Sequence, residues 1–141
     1  MTVRPLLVDE TERYFPLRTM LWPDADAPEE ITQLLADPEA VIFVAEVEGR
    51  LVGFAEGSLR RYADGCESSP VGYLEGWYVR PEYRQHGVGR KLVGALEGWA
   101  RARGCTEMAS DTELHNTLSQ QAHARLGFEE VERIVQFRKP L

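Results

Sequence analysis

Between Tyr73 and Ala100 the chain passes from a strand-like run to a hydrophobic period of about 3.6 residues, and the change falls on one short turn, Arg84-Gln85-His86-Gly87-Val88-Gly89-Arg90. Tyr73 to Val79 reads as a strand, broken by Pro81. Beyond the turn, Val88, Leu92, Leu96 and Trp99 share a helical stripe that Val93 and Ala100 widen, and Gly104 stands where a helix end is capped. A strand feeding an amphipathic helix in this way commits the middle of the chain to a sheet covered by helices.

The flanks extend that scheme. Asp9-Glu10-Thr11-Glu12 has the spacing of a capping box and predicts a helix to about Met20. Leu21-Trp22-Pro23 ends it, because a proline disfavours helical geometry in the residue before it. Asp26-Ala27-Pro28-Glu29-Glu30 offers the cap, proline and acidic residues of a second helix start, and Asp37-Pro38 closes that helix. Val41 to Glu48 and Leu51 to Leu59, joined at Gly49-Arg50, predict an antiparallel hairpin, and Tyr62 to Gly72 predicts a loop. Thr106 to Ser110 follows as a short strand, Asn116 to Leu126 as a helix stopped by Gly127, and Glu129 to Arg138 as one or two closing strands. The expectation is a single α/β (α+β) domain over residues 1–141. Its mixed central sheet would have about six or seven strands, with about four helices on its two faces.

Composition narrows the class. A chain of 141 residues fits one domain, burying roughly two thirds of its unfolded surface. With 43% hydrophobic and 28% charged residues it is not a disordered chain. No apolar run approaches the roughly 18–20 residues of a membrane span. The opening Met1-Thr2-Val3-Arg4-Pro5 lacks the apolar core of a secretion signal, so a cytoplasmic protein is expected. Cys66 and Cys105 make neither a disulfide framework nor a metal-binding spacing, and no metal is expected. A net charge of −7 argues against a nucleic-acid surface and favours a small cationic partner.

The turn itself carries chemistry. Glycines at 87 and 89 let backbone approach an anion, and the unpaired amides of a helix start point outward with the positive end of the dipole. Arg84 and Arg90 can add charge-assisted contacts, which makes the turn a candidate pyrophosphate site. Its spacing matches neither the P-loop nor the dinucleotide fingerprint. On the glycines alone, a plain strand-to-helix turn with tight packing stays open.

At these residues the sequence resembles the GNAT superfamily of acetyl-CoA-dependent N-acetyltransferases. Arg84, Gly87 and Gly89 meet the pattern Gln/Arg-x-x-Gly-x-Gly/Ala, with Trp77-Tyr78-Val79 before it and Asn116 and Leu126-Gly127-Phe128 after it. Leu21-Trp22-Pro23, the Gly65 to Pro70 segment, Leu74-Glu75-Gly76, the Glu107 to Thr112 segment and the Phe128 to Arg133 segment resemble one subgroup, the dimeric aminoglycoside 6′-N-acetyltransferases. The resemblance implies a GNAT fold, acetyl-CoA as cosubstrate, a cationic aminoglycoside as acceptor, a homodimer and antibiotic resistance. It implies that the backbone of Trp77, Tyr78 and Val79 pairs with pantetheine, that Gln85, His86, Gly87, Val88, Gly89 and Arg90 hold the pyrophosphate, and that Asn116 bonds the pantetheine arm. Trp22, Tyr62, Glu75, Asp111 and Glu132 fall on acceptor-binding positions of the subgroup.

Direct acetyl transfer to an amine needs a proton acceptor, a polarised carbonyl and a stabilised thiolate. Glu75, on the strand leading to the carbonyl, is the favoured base, and Asp111, ending the neighbouring strand, is chiefly an anchor for cations. A backbone amide of Tyr78 or Val79 would serve the carbonyl oxygen. Plainer readings stand beside these: an exposed strand carboxylate for Glu75, a turn cap for Asp111, hydrophobic cover for Trp22 and Tyr62, a solvated charge for Glu132. Where many relatives carry a tyrosine as acid toward the leaving sulfur, this chain has His123, which is either that donor or a packed helix histidine. Two alternatives to the drug acceptor are acetylation of another small or protein amine, and a non-catalytic acyl-CoA sensor.

Overall fold

The computed structural model describes residues 1–25 and 27–141. The chain runs β1 (Thr2–Pro5), α1 (Thr11–Leu21), α2 (Glu29–Ala36), β2 (Ala40–Val47), β3 (Arg50–Arg60), β4 (Val71–Val79), α3 (Val88–Ala102), β5 (Met108–Ser110) and α4 (Thr117–Arg125). The strands lie side by side in that order, β1 to β4 antiparallel and β5 parallel to β4. The parallel step is the one bridged by α3, as a crossover requires.

Strand alternation divides the core between the two faces. Ala45, Val52, Ala55 and Leu74 turn to one face, where α3 lays down Val88, Leu92, Val93 and Leu96. Ile42, Val44, Leu51 and Phe54 turn to the other, against Tyr14 and Leu17 of α1 and Ile31 of α2. The helical stripe read from α3 is therefore its buried face, with Trp99 at the margin.

Two expectations are corrected and one is not tested. The first helix is not capped by Asp9. A 3-10 turn over Val8–Glu10 precedes it, and the Glu10 carboxylate instead reaches back to the Leu7 amide at 2.9 Å. The expected cap of α2 included Asp26, which lies outside the described residues. No strand forms over Glu129 to Arg138, so among the described residues the sheet has five strands rather than six or seven, beside the expected four α-helices. The reason is the edge beyond β4. β5 pairs over three residues only, and Val131, Ile134, Val135 and Phe137 stay exposed and, among the described residues, join no strand.

Glu10 ties β1 to α1. It is buried and accepts guanidinium bonds from Arg4 at 2.7 and 2.8 Å and from Arg13 at 2.9 Å. The Arg4 bonds hold its carboxyl at about 2, against an ordinary 4.5. Between those values the unfolded chain binds a proton that the folded chain does not. The stabilisation is therefore complete above pH 4.5 and is lost as pH falls toward 2. Urea unfolding across that range is expected to show a shallower pH slope for Glu10→Gln than for the wild type; equal slopes would contradict it.

Candidate active site

The sheet opens on the far side of β4. Its ladder to β5 runs Gly72 to Met108, Tyr73 to Ala109 and Leu74 to Ser110, and there it stops. At the next residue the register to β3 shifts: Glu56 pairs with Gly76 and Gly57 with Leu74, which leaves Glu75 as the extra residue of a bulge. From Glu75 onward β4 keeps β3 on one edge and, among the described residues, has no strand on the other. The Arg80 amide donates to Val52 O at 2.8 Å. Peptide directions alternate along a strand, so the Tyr78 amide faces β3 while those of Trp77 and Val79 face the open edge.

The turn into α3 adjoins that edge. Gln85 and Gly87 have positive φ (65° and 81°), and the first helical bond, Lys91 N to Gly87 O at 3.1 Å, leaves the amides of Val88, Gly89 and Arg90 without helical acceptors. A Cβ on Gly89 would lie 2.7 Å from Cζ2 of Trp77, so the indole packed against the turn requires glycine there. The Trp77 Nε1 is buried and has no hydrogen-bond partner among the described residues. Free amides at a helix start, beside an unpaired strand edge, suit a phosphate followed by an amide-bearing chain.

On the other side of Glu75 lies a cleft of about 740 Å³, lined in part by Trp22, Asp24, Glu30, Ser58 and Glu113. A Cβ on Gly76 would fall 2.0 Å from Cη2 of Trp22, so the ring rests on the strand only because residue 76 is glycine. Arg18 stands 4.7 Å from the centre of that ring. It is itself held by Glu56, at 2.6 and 3.2 Å, and by Glu30 at 3.1 Å, while the Tyr14 hydroxyl donates to Glu56 at 2.5 Å. Burial works against charge on Arg18, but the Glu56 bonds outweigh it and the guanidinium is held well above its ordinary range. Burial, aided by Glu56, pushes the Tyr14 phenol up.

Glu75 lies in a second network. Its Oε1 accepts from Arg60 Nη2 at 2.7 Å, and its Oε2 from Arg60 Nε at 3.0 Å and Ser58 Oγ at 2.5 Å. The Arg60 guanidinium carbon is 3.4 Å from the centre of the Tyr73 ring, and the Tyr73 hydroxyl donates to Asp111. Burial, then the Asp111 bond, raises the Tyr73 phenol. Glu75 and Asp111 are thereby joined through Arg60 and Tyr73 across the point where the strands part.

Residues 5–128 match the model of the acetyltransferase (GNAT) family. The chain belongs to the GNAT acetyltransferase family. Its curated relatives include aminoglycoside N(6′)-acetyltransferases type 1 from Stenotrophomonas maltophilia and Klebsiella aerogenes. These are 50% and 47% identical, with 99% of this chain and 94% and 96% of the relatives aligned. Among solved structures, AAC(6′)-Iy bound to the bisubstrate analogue CoA-S-monomethyl-acetylneamine superposes with a TM-score of 0.93, at 40% identity, over 99% of this chain and 98% of that one. The same enzyme with CoA also gives 0.93, at 39% identity, over 99% and 95%.

Within this GNAT frame the expected residues fall into groups. Trp22 and Glu75 line one cleft, and Asp111 is tied to Glu75 from outside its lining. Tyr62 and Glu132 do not line it. Tyr62 is exposed and donates to Asp64 at 2.9 Å, and the exposed Glu132 adjoins Val131, which sits against Gly65 of the same loop. Asn116 caps α4, its Oδ1 accepting from the Ser119 amide at 3.1 Å, and its amide nitrogen remains for a ligand. Of the two amides expected to serve the carbonyl oxygen, that of Val79 faces the open edge and that of Tyr78 faces β3. The Arg90 guanidinium does not turn to the anion site but donates to Arg125 O at 3.0 Å, so Arg90 offers its amide. His86 is exposed on the turn, and Val88 anchors it in the core. Both His123 nitrogens are engaged: Nδ1 donates to Ser119 O at 2.7 Å and Nε2 meets Ser110 Oγ at 2.8 Å. Sequence reasoning missed Arg18, Glu56, Ser58, Arg60 and Tyr73; only Glu56, a charge inside the apolar run of β3, carried a signal.

Gly89→Glu is expected to weaken CoA binding by at least about tenfold in calorimetry, by placing a carboxylate among the free amides and displacing Trp77. Gly76→Ala is expected to shift Trp22 while leaving CoA affinity within about twofold. Unchanged CoA affinity in the first variant would contradict the anion site.

Proposed function

We propose that the chain transfers acetyl from acetyl-CoA to the 6′-amine of aminoglycosides by direct attack within a ternary complex, acting in the cytoplasm and conferring resistance. The observation that carries the reading is the acidic cleft at Glu75, set against an open strand edge that ends at an anion-binding turn. The relatives' names and the bisubstrate complex of AAC(6′)-Iy support the same acceptor.

Acetyl-CoA supplies the activated thioester; the chain supplies the rest. The amides of Gln85 to Arg90 bind pyrophosphate, the edge of Trp77 to Val79 pairs with pantetheine, and the Asn116 amide nitrogen bonds the same arm. Trp22 stacks on a sugar ring, while Asp111 and the cleft carboxylates orient ammonium groups. Glu75 takes the proton from the attacking amine, directly or through a water. The Val79 amide donates to the carbonyl oxygen as charge develops there.

A homodimer belongs to the same proposal. Val131, Ile134, Val135 and Phe137 expose a β-rich strip, which a second copy can bury, and a partner's tail would bring its Glu132 to the acceptor.

The wild type is expected to acetylate kanamycin with a kcat/KM above those for spermidine and a lysine peptide; equal values would favour the general-amine reading. Glu75→Gln is expected to lower kcat/KM at neutral pH by about a hundredfold. Near wild-type rates would move the proton to Asp111 or solvent.

A further inference from the structure

Arg60 has no place in the chemistry just described, yet it holds the residue on which that chemistry turns. It is the last residue of β3, and its side chain is 43% exposed, so solvent is open to it. Its guanidinium engages both oxygens of Glu75, and Ser58 takes a further site on Oε2. An amine that gives its proton to Glu75 needs one of those oxygens, and both already face the Arg60 guanidinium, so an arriving ammonium group competes with it.

Resting on the acceptor reading above, we infer that Arg60 is an internal cation occupying Glu75 until an ammonium group of the acceptor displaces it, so that Arg60 sets the affinity for cationic acceptors. The contacts around Arg60 suit such an exchange. A half-exposed ion pair of this kind is weak, changing an equilibrium constant severalfold at most. Its other contact, the face of Tyr73, does not depend on Glu75, and the Asp111 carboxylate bonded to Tyr73 lies close enough to attract the released guanidinium. A multiply charged acceptor also meets Asp24, Glu30 and Glu113 in the same cleft, which a single internal arginine cannot match. Arg18 is different. It is buried, and it is locked by Glu56 and Glu30, so it stays in place while Arg60 moves.

The test is calorimetric titration of the CoA-loaded protein with kanamycin, in wild type, Arg60→Gln, Arg60→Lys and Ser58→Ala. Arg60→Gln is expected to bind about two- to fivefold more tightly, with Arg60→Lys between it and the wild type. Ser58→Ala removes a neutral bond to the same carboxylate and is expected not to tighten binding. If Arg60→Gln binds no more tightly than wild type, Arg60 is a fixed support of Glu75 and the inference is overturned. Should Arg60→Gln fail to fold, Arg60→Met gives the same comparison. Wild-type turnover of kanamycin is measured in the same preparation. Its absence would refute the acceptor reading, whereas turnover without tightening refutes the Arg60 inference alone. In the first case spermidine, which carries ammonium groups without a sugar, repeats the comparison; no tightening with it either would overturn the inference.

Discussion

The site depends on β4 losing one neighbour while keeping the other. Up to Leu74 the strand is bonded on both edges; from Glu75 onward, among the described residues, only β3 remains. Unpaired peptide groups at a sheet edge are an unmet demand for hydrogen bonds, and they accept an extended ligand as they would accept a strand. The bulge at Glu75 lies at the same point, so the residue where pairing ends also carries the carboxylate. The open edge on one side and the acidic cleft on the other thus meet at a single residue.

Two glycines adapt that strand to its surroundings, each for a stated contact. Gly76 admits Trp22 onto β4, and Gly89 admits Trp77 against the start of α3. Both aromatic rings are placed by what lies behind them. Arg18 and Glu56 stand behind Trp22, and the core under α3 supports Trp77. The buried Tyr14–Glu56–Arg18 group is fully bonded, which is the condition under which buried charge rigidifies rather than destabilises.

What was legible in the sequence is what local chemistry dictates. The α3 stripe, the hairpin of β2 and β3, the breaks at Pro23, Pro38 and Pro81, and the glycine turn at 84–90 all follow from spacing and residue type. The roles of Glu75 and Asp111 came from resemblance, and their link through Arg60 and Tyr73 could not have been read in advance, because the β3–β4 register and its bulge decide which side chains meet. The same limit explains the missing closing strands. Val131 to Phe137 has strand composition, but strand formation needs a partner edge, and β5 is too short to provide one. Arg90 shows the converse: its charge suited an anion, while the end of α4 lay nearer.

Amide hydrogen exchange resolved by residue, with and without CoA, tests the open edge most directly. On binding, the amides of Trp77, Val79, Val88 and Gly89 are predicted to slow, while Tyr78, already bonded to β3, changes little. If Trp77 and Val79 exchange at the same rate in both states while CoA is bound, the open edge is not where the ligand lies.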